Sequence, residues 1–326
     1  MIEILLKEWI EQIKYYIHLI ADYSIKESQV GAVLDDVLNL SGKMLRSKLL
    51  LLCAFLGSNW KNNKEKICKL AAMVELTHLA SLIHDDIVDD SPYRRGKVSI
   101  QGKYGKDAAV FAGDFLIARI FYYGAVENLN EAVSILSKTV EYMCIGEIEQ
   151  DLCRYQEDIS EKKYFENIER KTAALFQAAS YIGAKESGCS EEIIQKLELF
   201  VKNLGLMFQL KDDILDFTSN SKELGKETHK DFQNGIYTFP VIMALKNPKA
   251  REVLLPIMRK NKEEKLSLAE ILQLQNYIIQ FGGIEASYEK IKYLSTINRQ
   301  LIKELGQNSK ITVYLEKILN DLEVKK

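Results

Sequence analysis

Residues 75–90 read ELTHLASLIHDDIVDD, and residues 205–217 read GLMFQLKDDILDF. Each closes a run of apolar residues at helical spacing, Ala71 to Ile83 in the first and Leu199 to Leu210 in the second. Each also carries one acidic pattern, Asp85-Asp86-Ile-Val-Asp89 and Asp212-Asp213-Ile-Leu-Asp216. The outer aspartates of a cluster are four residues apart, so they share a helix face with a rise of ~6 Å between them. Like charges at that spacing destabilise an isolated helix, so a cation is expected to offset them. Hard carboxylate oxygens favour Mg²⁺, which keeps several waters and bridges carboxylates to substrate phosphates. One such cluster is compatible with a solvated helix end. Two, each led in by an apolar and therefore buried helix, predict carboxylates facing one cavity and holding divalent ions around a diphosphate.

Outward from these stretches, most of the chain reads as amphipathic helix with short polar breaks. The clearest breaks are Gly57-Ser58-Asn59, Ser91-Pro92, Gly102 to Gly105, Glu186-Ser187-Gly188, Ser219 to Gly225, Asn247-Pro248 and Gly282-Gly283. Ser267-Leu-Ala-Glu270 has the form of a capping box. The 326 residues contain 4 Pro and 17 Gly, where average usage gives roughly 16 and 23. Strand alternation is nowhere sustained, and neither repeat nor low-complexity linker appears. The prediction is an all-α fold, one domain over residues 1–326, built as a bundle of ten or more helices.

Charge and cysteine usage narrow the class further. Lys and Arg number 44 against 46 Asp and Glu, for a net charge of −2, which argues against a nucleic-acid-binding protein. Cys53, Cys68, Cys144, Cys153 and Cys189 are odd in number and form no C-x-x-C pair, as expected of free thiols in a cytoplasmic protein. Glu3, Lys7, Glu8 and Glu11 interrupt the N-terminal apolar pattern, and Leu49 to Gly57 is about half of the ~18 residues a membrane span needs. No transmembrane segment is expected.

A diphosphate site also needs cations. Arg94 and Arg95 follow the first cluster at a proline break, and Gly42-Lys43-Met44-Leu45-Arg46 sets two cations three residues apart after a Ser-Gly turn. Guanidinium forks suit bidentate phosphate contact, and lysine acts as a point charge. Lys171 and Lys226 lie in surroundings that say little by themselves.

Taken in order, GKMLR (42–46), ELTHLASLIHDDIVDDSPYRRG (75–96), GDFL (113–116), GEIEQ (146–150), KTAALF (171–176), GLMFQLKDDILDF (205–217) and GKETHKD (225–231) resemble the trans-isoprenyl diphosphate synthases, the polyprenyl synthetase family. The resemblance implies an all-helical fold around a deep central cavity, usually dimeric. It implies head-to-tail condensation of an allylic diphosphate with isopentenyl diphosphate. By position, Asp85 and Asp89 would bind two Mg²⁺ with Asp86 in support. Asp212 would bind a third ion, with Asp213 in its outer shell and Asp216 reaching it directly or through water. Arg94, Lys171 and Lys226 would contact the allylic diphosphate, while Lys43, Arg46, His78 and Arg95 would hold isopentenyl diphosphate. Thr172 and Gln209 would point oxygens at the developing carbocation, and the released diphosphate would take the proton.

The departures from the family pattern are specific. Ser41, Met44 and Ser47 replace a Gly, an Arg and a Pro, and Ile236 stands where many members place a third allylic-site lysine. Short-chain members commonly have aromatics at the positions of Ala80 and Ser81. Here both are small, as is Thr77, which implies an open shaft and a medium- or long-chain product. Other readings were a di-iron bundle from Glu75-x-x-His78, which lacks a second such motif, and a terpene cyclase, which has no need of a second diphosphate site. A catalytic subunit that requires a smaller helper stays open.

Overall fold

The computed structural model describes residues 2–22, 28–40, 42–94, 96–218, 230–306 and 310–323. Ser41, Arg95 and Lys226 lie outside the described residues. Helix is nearly the whole of the secondary structure, with one two-stranded exception. The chain divides into two compact units, residues 1–140 with 175–198 and residues 141–174 with 199–326.

In the first unit, helix α4 (Lys64–Val88) is apolar around its whole circumference, so it must be enclosed on all sides. Helices α1 (Ile2–Ile20), α3 (Leu45–Ala54), α5 (Ile100–Tyr104) and α6 (Lys106–Val126) pack against it. Helix α1 shows the complementary pattern. It buries Leu6, Trp9, Ile10, Ile13, Tyr16, Ile17 and Ile20 on one stripe and leaves its charges outside. Trp9 meets Phe55 edge-on at 5.0 Å, which anchors α1 over the end of α3. Helix α2 (Gln29–Leu38) opens on Ser28, whose side chain accepts from the Gly31 amide. Beyond α4 the chain makes a short antiparallel hairpin, β1 (Tyr93–Arg94) on β2 (Lys97–Val98), the only strands among the described residues.

By length and composition, two of the described helices could cross a membrane, α4 and α6. Most of the relevant stretch of α4 is buried inside the protein, whereas α6 leaves Phe111, Tyr122 and Val126 exposed. Spotting either from sequence needs the whole helix rather than the longest unbroken apolar run.

Helix α7 (Asn130–Leu152) leads toward α8 (Glu161–Ile168), a π-helical turn at Glu169–Ala173, α9 (Ala174–Glu186) and α10 (Glu191–Thr218). The second unit adds α11 (Lys230–Gln233), α12 (Phe239–Ala244), α13 (Pro248–Glu263), α14 (Leu268–Gln280), α15 (Gly283–Glu304) and α16 (Lys310–Leu322). Asn247 caps α13 with Pro248 at its first position, and Ser267 with Glu270 forms the expected capping box on α14. Short α12 is buried and packs against α8, α14 and α15. A buried amide pair fixes the register of α10 on α15: Asn203 donates to Asn298 at 2.9 Å, and Asn298 donates to the Phe200 carbonyl at 3.0 Å. Each polar group left unpaired there would cost about 1–3 kcal/mol, so the register is specific.

Candidate active site

The first carboxylate cluster occupies the C-terminal end of α4. Asp89 is the cap residue, its amide donating to the Asp85 carbonyl. Asp85 is half-buried and Asp89 exposed, so the two outer carboxylates are accessible on one face. Asp86 between them is only 3% exposed. A buried carboxylate needs a partner, and the hairpin supplies one. Arg94 Nε lies 2.8 Å from both Asp86 oxygens, and its terminal nitrogen adds a contact of 2.8 Å. The Asp86 carbonyl also accepts from the Ser91 amide at 2.9 Å and from the Gln101 side chain. Arg94, expected on the allylic diphosphate, is thus held on the central aspartate.

In the same unit, two of the residues expected on the second diphosphate, Arg46 and His78, meet. Arg46 Nη1 lies 2.9 Å from His78 Nε2. Arginine has only donors, so His78 accepts through Nε2 and carries any neutral-form proton on Nδ1. The Arg46 guanidinium stacks over the Phe176 ring at 4.5 Å, which holds its fork in plane. Lys43 is exposed. Met44, buried between Lys43 and Arg46, sits in the left-handed region at φ 51° just before α3. Glu75 is the acidic residue of the Glu75-x-x-His78 pattern. It is buried, accepts from Ser47 Oγ at 2.8 Å, and burial pushes its carboxyl up in pKa. Ser47 stands where the family pattern has a proline, and a proline could not make this bond.

The second cluster follows the same plan on α10. Asp212 is exposed and Asp216 half-buried, while Asp213 between them is 1% exposed. Its partners are neutral: Tyr164 on α8 donates to Oδ2 at 2.5 Å, and Gln209, one turn earlier, donates to Oδ1 at 2.9 Å. Burial pushes the Asp213 carboxyl up to about 7, although both hydrogen bonds pull it down. Burial and the same carboxylate also drive Tyr164 well above the usual phenol range. Gln209 Oε1 in turn accepts from Thr172 Oγ1 at 3.0 Å, which brings together the two residues expected to face a carbocation.

Thr172 and Lys171 lie on the π-helical turn, a distortion that recurs at functional sites because it re-aims side chains. Two glycines of the quoted motifs explain how neighbouring helices reach it. A Cβ at Gly205 would come within 2.8 Å of Ala173, and one at Gly146 within 3.0 Å of the Lys171 amide nitrogen. Only glycine permits α10 and α7 to approach this closely. Lys171 itself is ion-paired with Glu147 at 2.9 Å, and Glu149 pairs with Arg170 and Lys163 at 2.5 and 3.0 Å. Ile236 is half-buried, its amide donating to the Asp231 carbonyl.

Along α4 below Asp85, Ser81 Oγ donates to the His78 carbonyl at 2.8 Å and Thr77 Oγ1 to the Met73 carbonyl at 2.9 Å. Both hydroxyls are therefore satisfied within their own helix. Ala80 is fully buried.

Sequence reasoning missed Tyr164, Glu147 and Phe176 as members of the site. Glu147 and Phe176 lay inside quoted motifs without a role; nothing in the sequence marked Tyr164. Among the described residues no three His, Cys, Asp or Glu side chains form a ready metal cage. Mg²⁺ takes one or two carboxylates and completes its shell with water and substrate phosphate. The accessible pairs Asp85/Asp89 and Asp212/Asp216 are all-oxygen donor sets of this kind.

The chain is almost wholly helical and carries accessible paired carboxylates near the C-terminal ends of α4 and α10. Residues 27–275 match the polyprenyl synthetase family, and the chain belongs to it. It is 38% identical over 230 residues to heptaprenyl diphosphate synthase component 2 of Bacillus subtilis (strain 168), a match covering 71% of this chain and 65% of that protein. The same component of Geobacillus stearothermophilus is 34% identical, with 80% of each chain covered. Among solved structures, polyprenyl synthase from Caulobacter crescentus CB15, complexed with calcium and isoprenyl diphosphate, superposes with a TM-score of 0.87. It is 28% identical, covering 98% of this chain and 96% of its own. A decaprenyl diphosphate synthase from Rhodobacter capsulatus has the same TM-score at 27% identity, covering 99% and 98%. The chain is a prenyltransferase of the polyprenyl diphosphate synthase class.

Proposed function

We propose that residues 1–326 act as one catalytic domain that condenses isopentenyl diphosphate head-to-tail with an allylic prenyl diphosphate. The product is a medium- or long-chain all-trans polyprenyl diphosphate. The observation that carries this reading is the matched design of the two clusters, each with an immobilised central aspartate and two accessible outer ones. Asp85 and Asp89 would hold two Mg²⁺, and Asp212 would hold a third with Asp216 in reach. Bound Mg²⁺ supplies positive charge against the diphosphate that departs. Lys171, Lys226 and Arg94 belong to the allylic side, and Lys43, Arg46, Arg95 and His78 to isopentenyl diphosphate. Arg46, already flattened on Phe176, presents its fork without ordering cost. Thr172 and Gln209 face the allylic carbon with oxygen lone pairs, and an apolar cavity of the kind the family resemblance implies would keep water from quenching the cation. The leaving diphosphate accepts the proton from the new intermediate.

Small, internally satisfied side chains at Thr77, Ala80 and Ser81 support the longer product. Replacing Ala80 with Phe should shorten it. The exposed apolar face of α6, with Phe111, Tyr122 and Val126, supports a homodimer, which light scattering of wild type and Phe111→Asp would test. Free cysteines support a cytoplasmic location.

The deciding experiment incubates purified chain with isopentenyl diphosphate, Mg²⁺ and allylic primers of several lengths, and then resolves products by length. Elongation beyond three isoprene units is expected, and its absence with every primer would sink the stand-alone reading. Two similar proteins are named as component 2 of a heptaprenyl diphosphate synthase. That specifically favours one second reading, a catalytic subunit that elongates only with a helper chain.

A further inference from the structure

Four side chains of the second unit form one directional chain of hydrogen bonds: Tyr164 to Asp213, Gln209 to Asp213, and Thr172 to Gln209. The directions are not arbitrary. When ionised, the Asp213 carboxylate can only accept, so Tyr164 then donates its hydroxyl proton to Oδ2 and Gln209 turns its NH₂ toward Oδ1. The Gln209 carbonyl oxygen is then the end that meets Thr172. Thr172 has a single proton, which it gives to that oxygen at 3.0 Å. The result is that Thr172 Oγ1 and Gln209 Oε1 offer only lone pairs to any further neighbour.

An isolated Gln209 amide has no such preference. Rotated by half a turn it would present two N–H donors instead, the wrong polarity beside a centre becoming positive. Asp213 supplies the asymmetry, and Tyr164 is the one partner of Asp213 in this chain that comes from another helix. The phenol is itself well placed to be rigid. It is 7% exposed, and its ring packs against Phe165 at 5.1 Å and Phe239 at 5.5 Å.

We propose that Tyr164 is a positioning residue for the condensation: by holding the Asp213 carboxylate it fixes the Gln209 amide, and through it Thr172, as lone-pair-only neighbours of the reacting allylic carbon. This rests on the function proposed above and adds to it a residue that touches neither substrate nor metal. Preorganised dipoles aimed at developing charge are a large catalytic term. Their loss lowers turnover without weakening ground-state binding, because the charge is absent until the C–O bond breaks.

The test is a double-mutant cycle of Tyr164→Phe and Gln209→Leu on the full chain, in the elongation assay with Mg²⁺. Y164F removes one oxygen and keeps the ring packing. It should lower kcat about tenfold and leave KM for both diphosphates within twofold, the loss expected of one charge-directed hydrogen bond. In the Q209L background the same substitution should change kcat by less than about twofold, since the amide it acts through is gone. An equal loss in both backgrounds, a loss carried by KM, or an unchanged kcat in Y164F each overturns the assignment. If Y164F is too unstable to assay, 4-fluorophenylalanine at 164 refills the oxygen's volume without its donor. Failure of that chain to fold makes Tyr164 structural and overturns the assignment too. An active wild type separates these outcomes from failure of the proposed function, because a wild type that elongates nothing removes both at once.

Discussion

The two aspartate clusters solve one problem with different chemistry. In each, the central carboxylate is buried while its neighbours at either end of the D-D-x-x-D remain accessible. Asp86 is held by a guanidinium, three contacts of 2.8 Å from Arg94 on a tight hairpin. Asp213 is held by a phenol and an amide, neither of which carries charge. A full positive charge offsets desolvation directly; two neutral donors do not, and Asp213 titrates at about 7 in consequence. Immobilising the middle residue of a D-D-x-x-D therefore does not require an ion pair.

The largest effects should come from the features the clusters share. Asp85→Asn and Asp212→Asn should each lower kcat by about a thousandfold, as removal of a group that stabilises developing charge does. Their melting temperatures should stay within a few degrees of wild type, since neither side chain is buried. A variant that melts early but turns over normally once folded would place that aspartate outside the catalytic set.

The next effects separate the clusters. Arg94→Ala strands a buried carboxylate and should cost about 3–5 kcal/mol in urea unfolding. The diagnostic comparison is Arg94→Ala with Asp86→Ala, because losing both partners should cost less than losing Arg94 alone. If the single and double variants are equally destabilised, Asp86 is not paying a desolvation penalty there.

The pH dependence of Asp213 has the opposite character. Its folded pKa lies above the ~3.9 of an unfolded aspartate, so between about pH 4 and 7 the folded chain binds a proton that the unfolded chain releases. Stability from this group is complete below pH 4 and lost as pH rises through 7, on the order of 2–4 kcal/mol. Metal-free wild type should thus lose stability relative to Asp213→Asn across that window when denaturation is followed in EDTA. Added Mg²⁺ should shrink the difference, because a cation beside Asp212 favours the charged form. A flat difference between the two chains would mean that Asp213 is solvated or charged throughout.

How much of this was legible in the sequence divides along the same line. The outer aspartates were, because a four-residue spacing after an apolar helix is a local pattern. So were the helical class, from scarce proline and continuous periodicity, and the capping box at Ser267. What held the middle aspartates was not. Arg94 sits eight residues after Asp86, but only the hairpin turns it back onto that carboxylate. Tyr164 is 49 residues from Asp213, and nothing local to either predicts the meeting. The π-turn was equally hidden, since Glu169–Ala173 reads as ordinary helix in sequence.

The smallest effect probes where each unit keeps its cation. The first unit commits Arg94 to the central aspartate. The second leaves Asp213 to neutral donors and commits Lys171 to Glu147 instead, at 2.9 Å with both side chains 29% exposed. A pair that exposed is worth about 0.2–1 kcal/mol, because water screens it and both side chains lose freedom to form it. If Lys171 binds the allylic diphosphate, it must first leave Glu147, and that cost appears in substrate affinity. Glu147→Gln removes the competing charge and keeps a hydrogen-bond acceptor. KM for the allylic substrate should fall by about two- to threefold at low salt, less at high salt where the pair is already screened. An allylic KM that rises instead would show that Glu147 aims Lys171 at the phosphate, which would make its role the counterpart of Arg94's partner rather than the contrast to it.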